Sequence, residues 1–173
     1  MRRRVPGHVT HMLLALVRHG IAEDAGPATG HRDEPRRLTP RGATRMERAA
    51  DGIARLGVAP AAVLTSPLVR CVETATILAE RLAAPVRTVE ALRPGARLEP
   101  VLDRVAEYPD APCVMVCGHM PDLAFMVADL IGGGVVEFRK GTLALVEVTR
   151  PRAGGGVLVG LHRPAALRRL GSA

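Results

Sequence analysis

The stretch LLALVRHG, residues 13–20, decides how the rest of the chain is interpreted. Residues 13–17 form a continuous apolar run, which is typical of a strand covered on both faces of a parallel sheet. The run ends in Arg18 and His19, two polar residues suited to holding an anion. In open α/β sheets, ligands bind beyond the carboxyl ends of the strands. The stretch therefore predicts a buried strand whose end opens onto a functional site.

Signals of strands and helices alternate along the rest of the chain. Apolar runs predict further strands at 62–65, 86–89, 113–117, 142–148 and 157–161, the last two as a hairpin-like pair. Thr39 and Ser66, each followed by a proline, are predicted to be the N-caps of helices over 39–56 and 66–83. Apolar periodicity predicts a helix over 98–108, and a further helix follows Pro121 and ends near residue 131. This order predicts an α/β fold of three layers, α/β/α, with a mostly parallel sheet flanked by helices.

Length and composition indicate one domain. The chain has 173 residues, of which 47% are hydrophobic and 24% charged, and this balance excludes a disordered chain. No apolar run reaches the roughly 18 residues that a membrane span needs. We expect residues 1–11 to form a flexible N-terminal extension, residues 12–173 to form the domain, and the basic tail from Arg163 to be peripheral. We also expect a cytoplasmic protein that does not contact a membrane.

The net charge of +7 makes nucleic acid the obvious partner to consider, yet the sequence disfavours it. Aromatic residues make up 2% of the chain, so bases would find almost no stacking platform, and the basic residues are dispersed along the sequence. Arginine, which supplies nearly all of the positive charge, matches phosphate oxygens well. We therefore predict no nucleic-acid partner and a phosphate-bearing substrate.

Three cysteines are present, Cys71, Cys113 and Cys117. Cys113 and Cys117 are four residues apart on a predicted strand, about 13 Å, which is too far for a disulfide or a shared metal. We interpret all three as buried thiols in a reducing compartment. Arg70 precedes Cys71 and could lower the pKa of that thiol, although the structural interpretation is preferred there too.

Three predicted strands deliver phosphate-seeking side chains at their carboxyl ends. The first ends in Arg18 and His19, the strand at 62–65 leads to Arg70 about one turn into a helix, and the strand at 113–117 leads to His119. Phosphoryl transfer depends mainly on positioning and on stabilising charge over three equatorial oxygens. Two arginines can clamp those oxygens, one imidazole can attack phosphorus, and the second can donate a hydrogen bond.

The residues that carry this chemistry resemble the histidine phosphatase superfamily. Its Arg-His-Gly signature is matched by residues 18–20. Four further elements follow in that family's order, namely LTPRG (38–42), SPLVR (66–70), ETA (73–75) and GHMP (118–121). Together they span about residues 12–162, and the likeness is greatest to the SixA-type phosphohistidine phosphatases.

The resemblance implies a phosphoglycerate mutase-like fold and a covalent phosphohistidine intermediate on His19. It implies that Arg18, Arg70 and His119 complete the phosphate pocket, and that neither a metal nor a cofactor is needed. Glu90 stands about where many members carry a general acid, and it is a tentative acid here. A phosphoramidate substrate has a leaving nitrogen that can be protonated beforehand, so a strong acid is less necessary.

Two other functions stay open. A phosphatase or mutase for small phosphate esters or sugar phosphates would need Glu90, whereas a non-catalytic phosphate-binding module would bind without turnover. The short chain leaves little room for a lid, which favours a phosphorylated protein as partner. Glu23 and Asp24 are interpreted as a solvated acidic loop. The remaining histidines are interpreted as incidental: His8, His11, His31 and His162. The oligomeric state stays undetermined.

Overall fold

The computed structural model describes residues 11–172, and within them strands and helices alternate as predicted. The strands are β1 (Met12–Arg18), β2 (Val63–Thr65), β3 (Val86–Thr88), β4 (Cys113–Gly118), β5 (Leu143–Val148) and β6 (Gly156–His162). The helices are α1 (Pro40–Arg55), α2 (Val69–Leu82), α3 (Leu98–Val105), α4 (Asp122–Leu130) and α5 (Pro164–Ser172).

The six strands form one mixed sheet in the order β3-β2-β4-β1-β5-β6. Strands β3, β2, β4 and β1 are parallel, whereas β5 pairs antiparallel with β1 and β6 pairs antiparallel with β5. The α/β architecture and the β5–β6 hairpin are therefore confirmed. Because β1, β2 and β4 are parallel neighbours at the centre of the sheet, their carboxyl ends share one edge.

Each face of the sheet is covered by its own hydrophobic core. On one face, Leu14, Leu16 and Val116 pack with residues of α3 and α4 such as Val101 and Leu123. The opposite face packs against α1, α2 and α5 through a second set: Ala15, Val17, Ile53, Leu78, Met115 and Leu167. The alternation along β1 shows why its apolar run is continuous, since both of its faces are buried.

Local chemistry sets the helix boundaries, with one correction to the predictions. Thr39 caps α1 as predicted, because its hydroxyl accepts a hydrogen bond from the Gly42 N–H at 2.9 Å. Helix α2 begins at Val69, three residues later than Ser66. The predicted cap was wrong, since Leu68 is the residue before the helix; the Ser66 hydroxyl accepts a hydrogen bond from the Leu68 N–H at 3.4 Å and contacts His119 at 2.8 Å.

The C-terminal segment is part of the domain, so the prediction of a peripheral tail was wrong. Helix α5 packs against α1 and fully buries Leu167. Two glycines permit this contact: a Cβ at Gly52 would lie 2.0 Å from the Leu167 carbonyl oxygen, and a Cβ at Gly171 would lie 2.1 Å from the Arg48 carbonyl oxygen. The two helix backbones therefore approach more closely than any other residue pair would allow.

The predicted N-terminal extension falls outside the described residues, except for His11, which is exposed and 3.4 Å from Glu147. Among the residues that the structure describes, no helix is long and apolar enough to cross a membrane.

Candidate active site

His19 lies at the end of β1, with only 6% of its surface exposed. Its Nδ1 is 2.8 Å from the Gly20 carbonyl oxygen, and its Nε2 is 3.3 Å from Arg70 Nε. A carbonyl oxygen can only accept a hydrogen bond and a guanidinium can only donate one. Nδ1 therefore carries the ring proton, and Nε2 accepts the hydrogen bond from Arg70. The Gly20 N–H donates to Thr74 Oγ1 at 3.1 Å, which holds this turn against α2. The Nε2 lone pair is therefore directed at Arg70.

Arg70, the second residue of α2, is the centre of the site. Its Nη1 donates to the Asp33 carbonyl oxygen at 2.9 Å, and its Nη2 donates to Asp33 Oδ2 at 2.8 Å. The same Nη2 is 3.2 Å from His119 Nδ1. Only 4% of Arg70 is exposed. One guanidinium thus bridges both histidines and is held in place by one loop residue.

His119 follows β4 and faces His19, with the two ring centroids 5.4 Å apart. Because Arg70 can only donate, the contact with Nδ1 makes that nitrogen an acceptor and leaves the ring proton on Nε2. That proton points to Ser66 Oγ, 2.8 Å away. Cys71 Sγ lies 3.5 Å from the same nitrogen. The three strand ends thus bring His19, Arg70 and His119 into one buried cluster.

The electrostatics of the cluster keep His19 neutral. Burial lowers the pKa of His19 to about 3, and the positive charges of Arg70 and Arg18 together with His119 act in the same direction. The hydrogen bond to the Gly20 carbonyl opposes this shift only in part. An imidazole in this state is unprotonated at Nε2 at any physiological pH, as a nucleophile requires.

Comparisons with known proteins identify the family of this chain. The model of the histidine phosphatase superfamily (branch 1) matches residues 14–94. An uncharacterised protein of Picosynechococcus sp. (strain PCC 7002) is 40% identical over 116 residues, which cover 65% of this chain and 68% of that protein. The chain belongs to the histidine phosphatase superfamily.

Solved structures show the same fold as this chain. The protein histidine phosphatase SixA complexed with tungstate superposes with a TM-score of 0.80 at 24% identity, covering 90% of this chain and 99% of that chain. A mycobacterial glucosyl-3-phosphoglycerate phosphatase complexed with VO3 superposes with a TM-score of 0.66 at 19% identity, covering 86% and 98%. The phosphoglycerate mutase-like architecture is therefore confirmed, whereas the substrate differs among these relatives.

Arg18 lies close enough to the cluster for its charge to act on His19. Its Nη1 donates to the Phe138 carbonyl oxygen at 2.8 Å, and its Nε is buried without a hydrogen-bond partner among the described residues. Burial lowers the pKa of Arg18. A buried donor without a partner is costly, so an anion that accepted a hydrogen bond from this nitrogen would remove that cost.

Glu90 is not part of the cluster. It begins a short 3-10 turn after β3, its side chain is 77% exposed, and its Oε2 accepts a hydrogen bond from Arg93 Nε at 2.7 Å. Arg93 also pairs with Glu34, the residue next to Asp33. Glu90 therefore lies on the surface, paired with Arg93, and its role as an acid stays a prediction.

Three residues that contact the cluster were not predicted from the sequence. Asp33 pairs with Arg70, and hydrogen bonds from Arg36 and Arg70 hold the pKa of its carboxyl below the usual value despite partial burial. Ser66 contacts His119 and had been assigned as a helix cap. Cys71, interpreted as a core thiol, is indeed buried but also touches His119. Of these three residues, only Cys71 had a sequence feature that linked it to the site, namely that it directly follows Arg70.

The other residues considered in the sequence lie away from the cluster. Glu23 and Asp24 are exposed, in agreement with a solvated loop. His31 is exposed, His162 is half-buried on the edge strand β6, and His8 lies outside the described residues. None of the described ones contacts His19, Arg70 or His119.

The low pKa of His19 predicts a pH-dependent cost to stability. In the unfolded chain His19 takes up a proton near pH 6.5, but in the folded protein it does so only near pH 3, so acid favours unfolding between these values. Between pH 7 and pH 5, wild type should lose about 2 kcal/mol more unfolding free energy than His19→Asn. Urea unfolding at the two pH values measures this difference. Equal losses in both proteins would contradict the assignment.

Proposed function

We propose that this protein is a phosphatase that hydrolyses phosphohistidine in proteins. His19 Nε2 attacks phosphorus, the bond from phosphorus to the substrate imidazole breaks, and that imidazole leaves with the proton it already carries. Water then attacks phosphohistidine-19, releasing inorganic phosphate and regenerating the neutral His19. Atoms and charges balance without a metal or a second substrate.

The observation that carries the proposal is the buried trio of His19, Arg70 and His119. The neutral His19 is oriented by its bond to the Gly20 carbonyl oxygen, so no energy is spent on deprotonating or turning it. Arg70 holds its positive charge between the two histidines, and the unpartnered Nε of Arg18 supplies a donor for the transferring oxygens. Donors that are fixed before the reaction stabilise a transferring phosphoryl group more strongly than donors that must reorganise.

The carboxylates of the site support phosphohistidine over an ester as substrate. An ester oxygen must be protonated as it leaves, so it needs a neutral acid near the cluster. Asp33 is the carboxylate in contact with Arg70, and its lowered pKa keeps it ionised at neutral pH. Glu90 is exposed and paired with Arg93. A phosphoramidate, whose leaving nitrogen brings its own proton, is the substrate that this set of groups suits best.

The likeness to SixA supports the same choice, because that protein histidine phosphatase shares the fold over 90% of this chain and is complexed with tungstate, a tetrahedral oxyanion like phosphate. We also propose that the reaction takes place in the cytoplasm, since all three cysteines are buried free thiols.

The proposal is tested by trapping the intermediate. The enzyme is mixed with a protein labelled with radioactive phosphate on histidine and quenched in alkali, in which phosphohistidine persists. We expect label on the enzyme that is released by acid, together with steady production of inorganic phosphate. Binding of the labelled protein without transfer would contradict the proposal and favour a non-catalytic phosphate-binding module.

A phosphatase for small phosphate esters is the second candidate, because the mycobacterial protein named above is a phosphatase of glucosyl-3-phosphoglycerate, a small phosphate ester. The two candidates differ in their need for Glu90.

Glu90→Gln separates them. If phosphohistidine is the substrate, we expect turnover of a phosphohistidine peptide to change by less than about twofold, since the leaving nitrogen needs no acid. The measurement compares kcat/KM on this peptide and on glycerol 3-phosphate. Glu99→Gln, an exposed acid on α3, is the control. A fall of about 100-fold on the ester alone, with the ester the better wild-type substrate, would favour the second candidate.

A further inference from the structure

A basic groove adjoins Arg18 beside the phosphoryl site, and its other residues have no part in the proposed reaction. It has a volume of about 540 Å³ and lies between α1, α5 and the loop that precedes β5. Arg18 and Gly20, the two neighbours of His19 in sequence, form its inner wall. The outer wall carries further basic side chains: Arg45, Arg139, Lys140, Arg163 and Arg168.

Most of this positive charge has no counter-ion in the part of the chain that the structure describes. Glu137 pairs with Arg139 at 3.1 Å and lies 3.7 Å from Arg163. Within residues 11–172, no carboxylate pairs with Arg45, Lys140 or Arg168. The acids of α1 do not compensate, since Asp51 pairs with Arg81 and Glu47 lines a different cleft.

The positive charge continues outside the groove. Arg41 and Arg48 on α1 and Arg169 on α5 lie close enough to Arg168 that, after burial, their charges and that of Arg45 lower its pKa. Like charges held this close destabilise the folded protein unless a ligand compensates them. A region that spans two helices is also larger than one small substrate.

The partner that fits is an acidic protein surface. The described aromatic residues, Tyr108, Phe125 and Phe138, do not line the groove, so it has no platform for stacking bases. Carboxylates spread over a protein match cations spread over two helices, whereas a compact polyphosphate would engage only the groove itself.

We propose that this groove binds acidic side chains that flank the phosphohistidine of the protein substrate. The inference rests on the proposed function, because it places the flanking residues of the substrate beside Arg18 while the phosphoryl group lies at His19. The groove then favours phosphohistidine proteins whose flanking residues are acidic, because these bind with a lower KM and associate faster.

Two peptides of equal length, each phosphorylated with phosphoramidate on a single histidine, test the proposal. One has glutamates around the histidine and the other has serines. We expect wild type to prefer the acidic peptide by about tenfold in kcat/KM, mostly through KM, and the preference to shrink with added salt.

The groove variant is Arg45→Gln/Arg168→Gln, which keeps the aliphatic stems and removes two charges. The matched control is Arg150→Gln/Arg152→Gln, which removes two exposed charges in the β5–β6 turn at the opposite end of the sheet. We expect the preference to fall below about twofold in the groove variant and to persist in the control. Turnover of an aryl phosphate reports folding, and Lys140→Gln should lower the preference by itself if the double variant is unfolded.

Each other outcome overturns the inference in a recognisable way. Hydrolysis of both peptides at equal kcat/KM would refute the groove but leave the proposed function intact. Hydrolysis of the aryl phosphate but of neither peptide would refute the proposed function, and the groove proposal with it. Inhibition by inorganic triphosphate or single-stranded DNA that the groove variant abolishes, without any preference between the peptides, would assign the groove to those polyanions instead.

Discussion

Replacing His19 with asparagine should abolish the labelled phosphoenzyme and lower kcat/KM on a phosphohistidine peptide by about 10⁴-fold or more. Asparagine can keep a polar contact at the end of β1, but it has no nitrogen lone pair able to form a bond to phosphorus. The buried cluster around Arg70 and His119 would still be able to bind phosphate. We therefore expect affinity for an oxyanion such as vanadate to change far less than turnover.

The matched control is His31→Asn, at an exposed histidine whose backbone is in the left-handed region that asparagine tolerates. It should label and turn over like wild type. Label on His19→Asn that acid still releases would show that another nitrogen attacks phosphorus. His119 would then be the first residue to test.

Replacing Arg70 with lysine should lower kcat/KM by about 10²–10³-fold, although the charge is kept. The guanidinium makes two hydrogen bonds to Asp33 and contacts both histidines, through three different nitrogens. A single ammonium cannot reach all of these atoms, so Asp33 and the Nδ1 of His119 lose a common partner. The larger part of the effect should be on kcat, since the fixed donors stabilise the transferring group most strongly.

Arg37→Lys is the control for this substitution, because Arg37 also pairs with a carboxylate, Glu73, but is exposed. Its effect on kcat/KM should stay below about twofold. Wild-type activity in Arg70→Lys would contradict this prediction. It would mean that the positive charge alone suffices and that the hydrogen bonds of the guanidinium are not needed for catalysis.

The fold was largely predictable from the sequence, because each central strand is an apolar run buried on both faces. The runs at β1 and β4 are unbroken, and the Thr39 cap and the following proline identify the start of α1. The order of strands along the sheet could not be predicted, since it depends on how the helices pack. Helix α5 was missed because a short basic segment resembles a solvated tail unless the buried Leu167 is known.

The candidate site was predictable where it depends on strand ends, and this is why His19, Arg70 and His119 were identified together. Asp33 lies in a loop without periodicity, so no pattern in the sequence indicated that it reaches Arg70. Ser66 was assigned to a cap because a serine before a proline satisfies that rule, yet tertiary contact with His119 overrides it. The catalytic roles themselves stay proposals until the substitutions are measured.

The glycine contact between α1 and α5 has a consequence for how the last helix is held. Gly52 and Gly171 bring the backbones of α1 and α5 together, and both helices carry arginine side chains. Packing therefore holds α5 in place against the repulsion between these arginines. At low ionic strength that repulsion is least screened, and α5 should then be the first element to detach. A bound acidic partner removes the repulsion, so it would fasten the C-terminal end of the chain at the same time as it aligns the phosphorylated residue.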